Sequence, residues 1–188
     1  DAVRAEAAPR LSAAVSEQMA LLEMGGAGLE VVQERLPRDE WGARGPSRVE
    51  FLYRPGVGLT ARPLRRIASG GEVSRVMLAL KVVLGEADDC ETLVFDEVDA
   101  GVGGATAVAL AGVLAHLART HQVIVVTHLA QVAVAAERHY LVEKREGEGG
   151  VPETTLTEIS GEDRVAEVAR MLSGDTGAAS RDLAREML

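Results

Sequence analysis

The chain has 188 residues, 47% of them hydrophobic and 26% charged, which suits a globular domain with a real core and argues against disorder. Its formal net charge of −9 argues against a strong nucleic-acid-backbone binder, because that affinity comes mainly from clustered Lys and Arg; any such contact has to be local or supplied elsewhere. Cys90 is the single cysteine, which leaves no internal disulfide or cysteine metal cage, and with no bilayer-length apolar run and no basic-then-apolar start, a cytoplasmic protein without a membrane is the expectation.

In chain order, Leu11, Val15, Met19 and Leu22 recur at three- and four-residue spacing and predict a helix over Val3–Met24, stopped by Gly25-Gly26. Pro9 kinks this helix or lies in its first turn. The helix reads equally as an ordinary surface helix or as the end of a longer coiled coil. Leu29–Leu36 and Arg48–Arg54 read as strands; in the second, Val49, Phe51 and Tyr53 alternate with polar neighbours, as on a half-buried strand. Pro37–Pro46 is a loop, and Thr60–Arg66 a basic irregular segment.

From Val73 the pattern changes. Val76, Met77, Leu80, Val83 and Leu84 mark an amphipathic helix, Thr92–Phe95 a continuous apolar strand, Ala105–Leu117 a helix and Gln122–Thr127 a second apolar strand. Apolar strands alternating with helices predict an α/β fold whose parallel sheet is buried on both faces. His139–Lys144 and Thr154–Ile159 flank a Gly/Glu turn as a hairpin, and helices over Asp163–Leu172 and Ala178–Met187 close the chain.

Three motifs carry chemistry. Ser69-Gly70-Gly71-Glu72 opens the amphipathic helix and has two readings. Ser-x-x-Glu is a capping box, whereas bare glycine amides at a helix start form an anion site to which Ser69 adds a hydroxyl. Asp96 and Glu97 end a buried strand, where open α/β sheets bind ligands. A lone acidic pair there is often a solvated turn, but Asp99, Gly101, Gly103 and Gly104 follow. Neighbouring carboxylates suit a division of labour, one held for Mg²⁺ and one orienting or deprotonating water. His128 ends the next strand, placed to sense a phosphate; His116, His121 and His139 read as packing or capping residues. The phosphate loop that normally precedes such motifs, Gly-x-x-x-x-Gly-Lys-Ser/Thr, does not occur in the sequence.

Taken in this order, Ser69-Gly70-Gly71-Glu72, Asp96-Glu97, Asp99 and His128 resemble the signature, Walker B, D-loop and switch-histidine motifs of the ABC-type ATPase superfamily. The fuller wording, Ile67–Arg75 with Asp96–Gly104 and Val126–Ala133, resembles the SMC-like ATPases of bacterial double-strand-break repair. The resemblance implies the carboxy-terminal lobe of an ATPase head over residues 25–188 and a helical stub of a coiled-coil arm over residues 1–24. It implies ATP and Mg²⁺ as cofactors, with Asp96 at the metal and Glu97 as general base. His128 becomes the γ-phosphate sensor, and Asp99 a cross-subunit contact. Ser69, Gly70 and Gly71 would meet ATP held by an opposing head, with Glu72 supporting their loop. The implied partners are an amino-terminal Walker A lobe of the same protein, a second head in an ATP-dependent homodimer, and DNA near the nucleoid, not through this acidic lobe alone. A transporter nucleotide-binding subunit, a non-catalytic interaction lobe and an independent Mg²⁺-dependent phosphohydrolase are the competing readings.

Overall fold

A computed structural model describes residues 1–87, 89–146 and 151–188. The chain forms two compact units, one of residues 1–102 with 116–126, the other of residues 103–115 with 127–188.

The first unit is built around helix α1 (Ala2–Leu21), strands β1 (Gly28–Arg35) and β2 (Ser47–Arg54), and helix α2 (Gly70–Leu84). Strands β1 and β2 pair antiparallel, Leu29 opposite Tyr53 and Val31 opposite Phe51, and the short β3 (Arg62–Pro63) adds to the far side of β2. Strand β1 is therefore an edge, and α1 covers it. The Ser16 hydroxyl accepts from the Leu29 amide at 3.2 Å and the Ser12 hydroxyl from the Val31 amide at 3.2 Å. The spacing makes this possible: four helical residues rise about 6 Å, and two strand residues rise about 6.6 Å. Two serines one turn apart thus match two outward amides of an open edge, which would otherwise template further pairing. Val15, Met19, Leu22, Leu29 and Tyr53 are buried beside them. Proline at position 9 lies within α1, which starts at Ala2.

Parallel strands β4 (Thr92–Phe95) and β5 (Gln122–Val125) form a separate pair, Leu93 opposite Val123 and Phe95 opposite Val125. The parallel arrangement is the expected one. The burial on both faces is not: Leu93 and Phe95 are buried, whereas Val94 is 64%, Ile124 47% and Val126 56% exposed. Among the described residues nothing covers that second face. Strand β5 also stops at Val125; one more ladder bond, Val126 amide to Phe95 carbonyl at 2.9 Å, follows it.

The second unit contains the start of helix α3 (Gly104–Leu117), the short α4 (Ala130–Ala133), the antiparallel hairpin β6 (His139–Glu146) and β7 (Pro152–Ile159), and helices α5 (Gly161–Ser173) and α6 (Ala178–Met187). The expected Gly/Glu turn of the hairpin falls largely on residues 147–150, outside the described residues. Ala130, Val165, Val168, Ala169 and Ala184 form the core joining α4, α5 and α6. Helix α5 ends at Gly174 with φ +77, the left-handed C-terminal conformation that glycine adopts without strain. The Arg164 guanidinium donates to the carbonyls of Ala133, Val134 and Ala136, the last at 2.7 Å. Beside it, His139 has a buried Nδ1 with no hydrogen-bond partner.

Replacing Ser12 and Ser16 together by alanine leaves the Leu29 and Val31 amides without their acceptors. The expected loss is about 1–3 kcal/mol per orphaned amide, measured by denaturant unfolding with circular dichroism. Burial, then the Arg164 charge, holds the His139 pKa below its ordinary value. Neutral His139 is therefore favoured in the folded state, and its contribution to stability, full above about pH 6.5, is lost as pH falls below that value because the unfolded state takes up the proton first. The denaturation midpoint should decline more steeply between pH 7 and 5 in the parent than in His139→Gln.

Candidate functional site

Helix α2 begins where the sequence places it, and its first turn meets the turn that follows β4. Ser69 is the N-cap: its hydroxyl accepts from the Glu72 amide at 3.4 Å, one half of a capping box. One turn further, the Ser74 hydroxyl donates to the Asp96 carbonyl at 2.7 Å. The Arg75 guanidinium donates to the carbonyls of Val98 at 3.2 Å and Ala100 at 2.9 Å. Helix α2 and the acidic turn are thereby one hydrogen-bonded piece. Sequence reasoning passed over Ser74 and Arg75, although a small hydroxyl and a long guanidinium just past a glycine pair are suited to clamping a neighbouring backbone.

The two glycines have a packing role as well. A Cβ on Gly71 would stand 2.9 Å from the Ala100 Cβ, 3.1 Å from the Glu97 carbonyl oxygen and 3.2 Å from that of Ala100. A Cβ on Gly70 would collide with the Glu97 carboxylate. Close approach of helix and turn, and not only of a ligand, requires residues without side chains here.

Within the acidic turn, Asp96 and Glu97 are exposed and Asp99 is buried, at 2% exposure. The Glu97 amide donates to Asp96 Oδ1 at 2.9 Å, and Glu97 has φ +56, a left-handed backbone that a non-glycine residue adopts only with local support. That support is visible: the Ala100 amide donates to the Glu97 carbonyl at 3.0 Å and the Val102 amide to the Asp99 carbonyl at 3.1 Å. The turn aims the Glu97 carboxylate at the start of α2. Among the described residues no three His, Cys, Asp or Glu side chains converge as a metal cage. A single carboxylate such as Asp96 still fits Mg²⁺, which keeps several waters and shares phosphate oxygens.

Tyr53 of β2 joins this region from behind. It is buried, and burial first, then the Glu72 charge, raises its pKa, with Arg75 partly offsetting them. His128 lies in the second unit, exposed, three residues beyond the end of β5 and not at its last position. The next residue's amide, from Leu129, donates to the Thr127 hydroxyl at 3.0 Å as the chain turns into α4. Of the other histidines, buried His121 pairs through Nδ1 with the Thr120 hydroxyl at 2.8 Å, in keeping with a packing role.

The fold is similar to that of Smc head domains. The Smc head domain with a coiled coil and joint from Pyrococcus yayanosii superposes with a TM-score of 0.61 at 22% identity, covering 92% of this chain and 30% of that one. The Smc head with an extended coiled coil bound to the C-terminal domain of ScpA, from Pyrococcus furiosus, gives 0.57 at 23% identity over 86% and 37% of the respective chains. No protein-family model matches the chain. Curated sequences narrow the class: the DNA repair protein RecN of Streptomyces coelicolor is 44% identical over 196 residues, covering 98% of this chain. RecN of Deinococcus radiodurans is 50% identical over 146 residues, covering 78% of it. The chain matches the carboxy-terminal part of RecN and spans only 34% and 25% of the lengths of those two relatives.

The different neighbours of the two glycines predict different losses. Gly71→Ala meets backbone and a Cβ, so it should destabilise the chain by about 1–3 kcal/mol, as overpacking does, read from denaturant unfolding. Gly70→Ala meets the far end of a flexible carboxylate. It should leave stability within about 1 kcal/mol of the parent, since Gly-to-Ala in a helix gains propensity, while displacing the Glu97 carboxylate in a crystal structure of the variant.

Proposed function

We propose that this chain is the carboxy-terminal half of a RecN-like ATPase head, supplying the signature, Walker B, D-loop and switch-histidine residues for ATP-dependent head pairing and hydrolysis in DNA double-strand-break repair. The observation that carries the reading is the clamp of Ser74 and Arg75 on the Asp96–Ala100 backbone. It holds the turn bearing Asp96 and Glu97 against the helix that starts at Ser69-Gly70-Gly71. In this reading an amino-terminal Walker A lobe lies on the uncovered face of β4 and β5, where Val94, Ile124 and Val126 are exposed beside the strand end that bears Asp96. A two-stranded parallel pair with an open apolar face is a poor free-standing unit. Residues 1–24 are then the re-entering end of the coiled-coil arm, and residues 25–188 the lobe. The work is cytoplasmic, at the nucleoid.

Mg²⁺, when bound, would supply positive charge against the ATP phosphates. Asp96 holds the ion, directly or through water. Glu97 takes the proton of the attacking water, with its carboxylate aimed by the left-handed turn. His128 donates a hydrogen bond to the terminal phosphate. Across the pair, the amides of Gly70 and Gly71 and the Ser69 hydroxyl face the nucleotide of the opposing head, while Glu72 braces the first turn of α2. Asp99 is the cross-subunit contact of this reading, though its burial at 2% exposure counts against a direct contact by its side chain. The cap seen at Ser69 and a phosphate contact are compatible, because a hydroxyl oxygen that accepts from the Glu72 amide still carries a proton to donate.

The purified 188-residue chain should lack appreciable ATPase activity, since the glycine-rich cradle and lysine for the β- and γ-phosphates are not in its sequence. In a head completed by the Walker A lobe, Glu97→Gln should lower turnover roughly 10²- to 10⁴-fold with ATP-dependent pairing retained. Asp96→Asn should instead weaken Mg²⁺-dependent nucleotide binding, and Ser69→Arg should abolish pairing while each head still binds ATP. Turnover at the parental rate in both acidic-pair variants would overturn the assignment, and robust activity of the chain alone would favour an independent phosphohydrolase.

A further inference from the structure

The loop between β1 and β2 gathers arginines around the single tryptophan of the chain. The guanidinium carbons of Arg35 and Arg38 stand 5.7 and 5.8 Å from the Trp41 ring centroid. The indole N–H donates to the Leu36 carbonyl at 3.1 Å, and the Leu36 amide donates to the Pro46 carbonyl at 2.8 Å, closing the base of the loop. The Gly45 amide donates to the Gly42 carbonyl at 2.9 Å, so Arg44 sits on a tight turn. Arg4 of α1 reaches over that turn and donates to the Arg44 carbonyl at 2.8 Å. Arg4, Arg44 and Arg48 line one open groove of about 750 Å³.

Residues 35–48 with Arg4 hold five arginines against the two acids Asp39 and Glu40, the latter lining the same groove, so the loop is net positive in a chain that is net negative. Arg48 lies near Glu34 and Glu40, at 3.7 and 3.9 Å; among the described residues no ion pair is made by Arg4, Arg35, Arg38 or Arg44. Cation–π stacking at exposed sites contributes about 0.5–1 kcal/mol and uses only the flat faces of the guanidiniums. A guanidinium on a ring keeps N–H donors in the planar fork that suits phosphate oxygens. Trp41 itself is 43% exposed, which leaves part of an aromatic surface beside those donors. Arginines that track a backbone and an aromatic ring on which a base can stack are the elements of a single-strand contact.

We propose that residues 35–48, together with Arg4, form a nucleic-acid contact of this lobe, taking the phosphate backbone of a single-stranded DNA segment with a base against Trp41. This deepens the head reading and rests on it for the choice of DNA. An acidic peptide would satisfy the guanidiniums but not the exposed part of the ring, and that exposed aromatic surface favours a base.

Because Trp41 is the only tryptophan, intrinsic fluorescence reports on this loop alone. Titration of the chain, and of the completed head, with a short oligothymidylate should quench that fluorescence, with an affinity that falls as salt rises. The double variant Arg38→Glu/Arg44→Glu should lose the quenching and bind at least tenfold more weakly by anisotropy of a labelled oligonucleotide. Both side chains are exposed, and circular dichroism confirms the fold; Arg38→Gln alone, with a smaller loss in the same direction, serves if the double variant does not fold. Undiminished affinity in the folded variants, or no quenching in the parent, overturns the proposal. Equal quenching by a poly-glutamate peptide overturns it in favour of an acidic protein partner. ATPase and ATP-dependent pairing of the completed head without DNA should be unchanged in the loop variants. Those assays test the head reading separately from the oligonucleotide titration.

Discussion

The docking of the first turn of α2 on the Asp96–Ala100 turn is the constraint on which the candidate site depends. Two glycines allow the backbones to approach, and two side chains fix them there: Ser74 on the Asp96 carbonyl and Arg75 on those of Val98 and Ala100. A single guanidinium that takes two carbonyls of one turn fixes its curvature. In the same turn Glu97 holds a left-handed conformation, supported by the Ala100 amide on its carbonyl. If the head reading holds, Ser69 and Glu97 serve different nucleotides of a pair, so a clamp joining them is a physical route by which the state of one site can bias the other.

Behind the clamp, the first unit is layered from helix to strand edge by local matches of spacing. Serines one helical turn apart meet amides two residues apart on β1, which turns an aggregation-prone edge into a helix-covered one. Tyr53, on the next strand, is buried and close enough to Glu72 and Arg75 for their charges to act on it. The antiparallel sheet and helix α2 therefore meet near Tyr53. The same sheet carries the arginine loop at its other end, between β1 and β2.

The parallel pair β4–β5 shows how far one chain can satisfy its own sequence. After the polar Thr92 and Gln122 its strands are continuously apolar, as a sheet buried on both faces needs, yet Val94, Ile124 and Val126 are exposed. Hydrophobic residues report where burial is required, but they do not say which chain provides it. The match to about a third or less of the length of RecN relatives and the open face are consistent with each other on this point.

The sequence by itself determined the order of the main helices and strands, the parallel sheet of β4 and β5, the hairpin of β6 and β7 and the positions of the motifs, because these follow from local periodicity, glycine and proline punctuation and strand-to-helix alternation. The strand bounds of β1 and β2 and the helix start at Ser69 were legible to within a residue or so for that reason. The pairing of β1 with β2, the short β3 and α4 came only from the fold. Tertiary structure alone decided that Gly71 is excluded from bearing a side chain by Ala100, that Asp99 is buried while its acidic neighbours are exposed, and that Ser74 and Arg75 hold the turn. It also decided that Arg35 and Arg38 stack on Trp41 and that Arg4 reaches the same loop. Each of these is a contact between segments whose separation along the chain carries no periodic signal. Their partners are mostly backbone carbonyls and ring faces, which every sequence contains and only a fold brings into reach.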